Sequence, residues 1–177
     1  YGEGIPSLDA LRNRVAGRVP LLIELKDQTG VLGPGPLTLE PAAACMLEAY
    51  RGPVAVMSFN PAMVAARAKL APGLARGLTT SAFAGPAWRE LPHARARRLA
   101  SICDEDPVGA VFISHAPRDL DAPAVAAQRR AGRAVLCWTI RSPAEEVAAR
   151  RHADGITFES YRPALPRDLD RPAARAT

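Results

Sequence analysis

Glu24 and Lys26 stand two positions apart in the run Leu21-Leu22-Ile23-Glu24-Leu25-Lys26, which lies between Pro20 and Asp27-Gln28-Thr29-Gly30. An apolar run of this length with turn residues at its end reads as a core strand. Strand alternation puts Leu22, Glu24 and Lys26 on one face and Leu21, Ile23 and Leu25 on the other. Burying an unpaired carboxylate is costly, so Glu24 needs a cation, a metal or a mutual partner. The chemistry on offer is a ligand carboxylate beside an anion-binding ammonium; the alternatives are a Glu–Lys pair at a solvent-facing sheet edge or a structural ion pair. Ser114-His115 ends a second apolar run, and a histidine at a strand end is a candidate for acid–base work. His93 and His152 lie in Arg-rich helical surroundings and read as solvated. Trp138 lies in a third apolar run on the parity of Leu136 and Ile140, where it either meets a ligand or packs. Ser58-Phe59 closes a fourth, and alternation turns only one of the two inward.

The whole chain bounds these options. With 177 residues, 48% of them hydrophobic and 23% charged, it is most simply one globular domain. No apolar stretch approaches the roughly 20 residues of a membrane span. The net charge of +5 is spread as Arg among Ala, as in Arg95-Ala96-Arg97-Arg98. With 5% aromatic residues and no recognition motif, that pattern reads as solvated helix faces rather than a nucleic-acid surface. Cys45, Cys103 and Cys137 are odd in number and widely spaced. They read as small buried residues of a reducing, cytoplasmic compartment, not as a disulfide framework or zinc site.

The elements that must position these residues alternate strand and helix. Ser7 can cap a helix over Leu8–Ala16, with Gly17 as its stop. The Leu21–Lys26 strand leads through a Gly/Pro loop to a helix over Ala42–Tyr50. Val54–Phe59 is a strand, and Asn60-Pro61 opens the next helix. Ala75–Thr79 is followed by an Arg-rich helix around Arg89–Cys103, and Val108–Ser114 is the next strand. Asp121 caps a helix ending at Gly132, Ala134–Ile140 is a strand, Ser142-Pro143-Ala144-Glu145 is a capping box, and Asp154–Phe158 is the last strand. Such alternation implies a parallel sheet covered by helices, either doubly wound or a (β/α) barrel. Phosphate-binding Gly fingerprints are absent, and polar residues recur at strand ends, which favours the barrel. Six units fall short of the eight of a full barrel.

Five segments together resemble the glycerophosphodiester phosphodiesterase family. Ile5-Pro6-Ser7-Leu8-Asp9-Ala10-Leu11 is similar to its "IPTLEE" element, Leu21–Lys26 to its "lliEiK" strand and Val56–Asn60 to its "vSF" strand. Val135–Ile140 matches its "WTvn" strand, and Ala153–Thr157 its "vDgiiT" strand. The resemblance implies a TIM (β/α)8 barrel, with about six of its eight strand–helix units in this chain. Residues 1–163 would be the C-terminal three quarters of the domain, and 164–177 a Pro/Arg-rich extension. The family's His-Arg-Gly, Glu-x-Asp and His-Asp motifs would lie upstream of Tyr1.

The activity implied by the resemblance is metal-dependent hydrolysis of a small phosphodiester to sn-glycerol 3-phosphate and an alcohol. Glu24 would be one of three carboxylates around Mg²⁺ or Ca²⁺, ions that prefer hard oxygen ligands. Lys26 would contact phosphate, while Phe59 and Trp138 would pack on the substrate. Phe83 and Trp88, in the long loop Ser81–Trp88, would cover the alcohol or pack on the adjacent helix. The acid–base histidines would come from the upstream segment, leaving His115 a rim residue. The contrasting expectation is a catalytically incomplete barrel that binds a phosphorylated ligand or a partner.

Overall fold

The structure is a computed structural model and describes residues 4–163; the expected 164–177 extension lies outside the described residues. Six strands, β1 Leu21–Glu24, β2 Val54–Ser58, β3 Ala75–Thr80, β4 Phe112–His115, β5 Ala134–Ile140 and β6 Gly155–Phe158, form one sheet. Its order is β1-β2-β3-β4-β5-β6, every pair parallel. A doubly wound sheet reverses its strand order at a switch point. This one never does, so the sheet is singly wound, and it curls into part of a (β/α) barrel.

The helices are α1 Leu8–Val15, α2 Leu39–Glu48, α3 Pro61–Leu70, α4 His93–Ala100, α5 Glu105–Val108, α6 Pro123–Arg130 and α7 Pro143–Ala149. Three have the caps read from sequence: the side chains of Ser7, Asn60 and Ser142 accept backbone N–H groups at the starts of α1, α3 and α7. The main core lies on the outer face of the sheet. There Leu78, Ile113, Val135 and Cys137 pack with Val64 of α3, Val108 of α5, Val125 of α6 and Ala149 of α7. Val125, Ile113, Val135 and Cys137 are fully buried.

The register sorts the other face into rows. Glu24, Met57, Gly77, Phe112 and Ala134 are neighbours across five strands. The next row toward the strand ends is Thr79, Ser114, Leu136 and Gly155. Glycine is needed at position 77, because a Cβ there would run into the Phe112 ring.

Several sequence expectations are corrected. The strand expected from Val108 begins at Phe112, because Glu105–Val108 closes a helical turn that ends at Gly109 with φ 63°. Helix α6 is not capped by Asp121; its N-cap is Ala122, and Pro123 at N1 sets the first turn instead. Helix α2 starts at Leu39, three residues early, and Lys26 lies past the end of β1. Ile140 departs from the parity of Trp138, because a register shift between Cys137 and Ile140 turns it into the outer core. Of the three cysteines only Cys137 is buried; Cys45 and Cys103 lie on the exposed sides of their segments.

Candidate functional site

The C-terminal ends of the strands carry the candidate residues. Glu24 ends β1 on an inner row, and pairing continues one residue further, Leu25 N–H donating to Met57 O at 2.8 Å. Lys26 Nζ donates to Glu24 Oε1 at 2.8 Å, with side-chain exposures of 73% and 22%. A pair this open contributes about 0.2–1 kcal/mol. Stability alone therefore does not account for a carboxylate on an inward-facing row.

Past the end of the neighbouring strand β2 stands a group of aromatic rings. Ser58 points outward, its Oγ donating to Leu25 O at 2.7 Å, so Phe59 takes the inward place. The Phe59 ring meets Trp138 edge-on, centroids 5.2 Å apart and planes at 90°. It also meets Trp88 at 5.2 Å and Phe83 at 6.1 Å, and those two lie 4.8 Å apart. Edge-to-face and tilted contacts of this kind fix ring positions beyond what area burial does. Trp138 is held a second way, its Nε1–H donating to Ser114 O at 2.9 Å. Phe83 is buried with Leu32, Leu91 and Leu99, whereas Phe59 and Trp88 are half-buried against that cluster. Phe83 thus supports the wall, while Phe59, Trp88 and Trp138 offer surface.

Sequence reasoning missed the hub of this end, Asp27 with Asn60. Asn60 is fully buried; its Nδ2 donates to Asp27 Oδ1 at 2.6 Å and to Gly33 O at 2.7 Å, and its Oδ1 accepts Ala62 N–H at 2.9 Å. Asp27 Oδ2 also accepts the N–H groups of Thr29, Gly30 and Leu32. Burial pushes the Asp27 carboxyl up, but hydrogen bonds from Asn60, Thr29, Leu32 and Gly30 outweigh it and hold the group below the usual carboxylate range. The signals were Asp27-Gln28-Thr29-Gly30, a sequence suited to an Asx turn, and Asn60 before Pro61.

His115 is not at the inner mouth. It pairs in register with Thr80 and Cys137 on the helix side of the sheet, 2% exposed. Its Nδ1 lies 2.8 Å from Thr80 Oγ1, and its Nε2 comes within 3.1 Å of Asp119 Oδ2 without hydrogen-bond alignment. Burial lowers its pKa, and Asp119 opposes the shift in part. Glu159 pairs with Arg141 at 2.6 Å. Glu24 offers the hard oxygen that a divalent cation prefers. Among the described residues, however, no three His, Cys, Asp or Glu side chains gather to hold a metal ion, so Glu24 could fill only one place in such a shell. Nor is any helix among the described residues long and apolar enough to cross a membrane.

No protein-family model and no curated protein matches the sequence. Solved structures do match. A phosphodiesterase from Oleispira antarctica, in complex with the product sn-glycerol-3-phosphate, superposes with a TM-score of 0.63 at 21% identity over 86% of this chain. A glycerophosphodiester phosphodiesterase from Parabacteroides distasonis gives 0.62 at 18% over 89%, and one from Agrobacterium tumefaciens 0.53 at 19% over 87%. The chain spans 57%, 61% and 58% of those three proteins' lengths. At this identity the likeness establishes the barrel fold.

Proposed function

We propose that the chain is the C-terminal three quarters of a barrel that hydrolyses glycerophosphodiesters to sn-glycerol 3-phosphate and an alcohol. One observation supports the reading: in a fold shared with such phosphodiesterases, the Glu24–Lys26 pair closes β1, and Phe59, just past the end of the neighbouring β2, meets Trp138 of β5 edge-on. Lys26 supplies an exposed ammonium for a phosphoryl oxygen and offsets the charge that builds there in the transition state. The perpendicular Phe59 and Trp138 rings offer an apolar corner for the carbon skeleton of the glycerol, which fixes the phosphorus relative to Lys26. Glu24 would be one ligand of a divalent cation, Mg²⁺ or Ca²⁺. When bound, that ion would supply Lewis-acid polarisation of the phosphoryl group. Its other ligands and the acid–base histidines are proposed to come from a segment preceding Tyr1.

The test is release of sn-glycerol 3-phosphate from glycerophosphocholine by a polypeptide with the complete barrel, with and without EDTA. Release that EDTA stops supports the reading, and no release overturns it. Glu24→Gln should abolish turnover with an unchanged circular dichroism spectrum. Near-wild-type turnover in that variant removes Glu24 from the ligand set.

A further inference from the structure

Phe59 also lines a cleft that Trp138 does not. This cleft, of about 460 Å³, runs between the β1–α2 loop and the β3–α4 loop, lined among others by Asp27, Leu32, Phe59, Trp88 and Glu90. Its volume lies within the range of small-molecule sites. The walls are anchored. Leu32 and Leu91 belong to a buried cluster with Phe83 and Leu99, and an Arg95 guanidinium donates to Leu32 O, tying α4 to the opposite loop. A cleft held this way loses little entropy on binding.

Its chemistry is aromatic and anionic. Trp88 and Phe59 present ring surface. Asp27 and Glu90 bring two carboxylates against a single lining cation, Arg89, which stands 3.7 Å from Glu90 with both side chains about four fifths exposed. Five hydrogen-bond donors, the Thr29 hydroxyl among them, keep the Asp27 carboxylate in place, so its charge is fixed. Ring faces with net negative charge around them suit an organic cation, which gains cation–π attraction and has few hydrogen bonds to lose. A neutral polyol would gain no such charge attraction. An anion would meet the carboxylates.

We infer that this cleft is the alcohol subsite of the proposed phosphodiesterase and selects a cationic amino-alcohol head group. The inference rests on the phosphodiesterase reading and adds a selection by charge. A diester bridging the two sides of Phe59 would place its glycerol at Trp138, its phosphorus near Lys26 and its ammonium at Trp88. The two tryptophans thereby serve different arms of one substrate.

Choline chloride and its neutral isostere 3,3-dimethylbutan-1-ol, titrated against the protein, test this without any turnover. The readout is the two indole N–H signals of Trp88 and Trp138 in an NMR spectrum. Choline should shift the Trp88 signal and bind about 3- to 30-fold more tightly than the isostere. Glu90→Gln, at an open position that leaves the fold intact, should weaken choline by about two- to fivefold and leave the isostere unchanged. Equal affinity for the two probes, or shifts confined to Trp138, overturns the inference. Choline binding at Trp88 without hydrolysis of any glycerophosphodiester keeps the cation site and removes the phosphodiesterase. Equal hydrolysis of choline, glycerol and inositol diesters keeps the phosphodiesterase and removes the selection.

Discussion

Asn60 should be among the least replaceable polar residues of this chain, because one side chain serves two elements. Its Oδ1 caps α3 through Ala62 N–H, and its Nδ2 bridges Asp27 Oδ1 and Gly33 O in the β1–α2 loop. Replacement of an N-cap Asn by Ala costs about 0.5–2 kcal/mol. Loss of a buried hydrogen bond to a charged partner costs about 1.5–3 kcal/mol. Asp27 keeps three backbone donors, so the lower part of that range applies, and Asn60→Ala should destabilise by about 2–4 kcal/mol. Urea unfolding followed by tryptophan fluorescence reads this as a lower midpoint at constant slope. Asn60→Asp separates the two contributions, since aspartate caps as well as asparagine but places a carboxylate against Asp27. In the wild type the Asp27 pKa lies below its ordinary value of 3.8. The stability it contributes is therefore present above that value and is lost as pH falls through the folded pKa. In Asn60→Asp the paired carboxylates have a raised folded pKa, so stability is gained as pH falls from 7 toward the ordinary carboxylate range. A cost below about 1 kcal/mol for Asn60→Ala, or a wild-type pH dependence for Asn60→Asp, would refute the hub.

Three further outcomes are expected. Cys45 and Cys103 are exposed, whereas Cys137 is fully buried and burial pushes its thiol up to about 11. Two thiols should therefore alkylate promptly in the native protein and the third only on unfolding, a pattern that mass spectrometry reads directly. Gly77→Ala should destabilise by about 1–3 kcal/mol through the clash with Phe112, and Phe112→Leu should recover part of that loss in the double variant. If the two substitutions are additive, the contact is not the cause. His115, its pKa lowered from 6.5 by burial against the partial opposition of Asp119, contributes stability above 6.5 that is lost as pH falls through its folded value. His115→Gln should flatten that limb of the pH–stability curve, and a native titration midpoint at or above 6.5 contradicts the burial argument.

The outline of the fold was legible because each strand is a short apolar run with punctuation, and β5 matches its expected limits, Ala134–Ile140. Polar residues at the strand ends and the family resemblance favoured the barrel over a doubly wound sheet, and the sequential pairing β1 to β6, which no local run carries, bears that out. Side-chain direction was legible where apolar and polar residues alternate. In Glu24-Leu25-Lys26 they do, and Glu24 lies on the inner row while Leu25 packs with Ala43 and Met63. In Phe112-Ile113-Ser114-His115 both apolar residues are buried and neither marks a face, so the outward turn of His115 had no signature.

The remaining part of the site was hidden for a different reason. Asp27 and Asn60 are 33 residues apart, and each reads locally as a turn former or a cap. Their joint action exists only because β1 and β2 are neighbours in register, which brings the loop after one strand against the helix start after the other. Trp88 and Trp138 pose the same problem across the sheet. Phe59 touches both at 5.2 Å because β2 ends between the loop after β3 and the inner side of β5. Alternation along a single strand predicts which residues share a face, but contacts between successive βα loops depend on how far the sheet curls. Glu24 lies on the face where alternation along its strand puts it, and Trp88 was a candidate from its long loop, whereas Asp27 and Glu90 had no such signal. The loop-borne part, Asp27 with Trp88 and Glu90, is where selection among alcohols would reside.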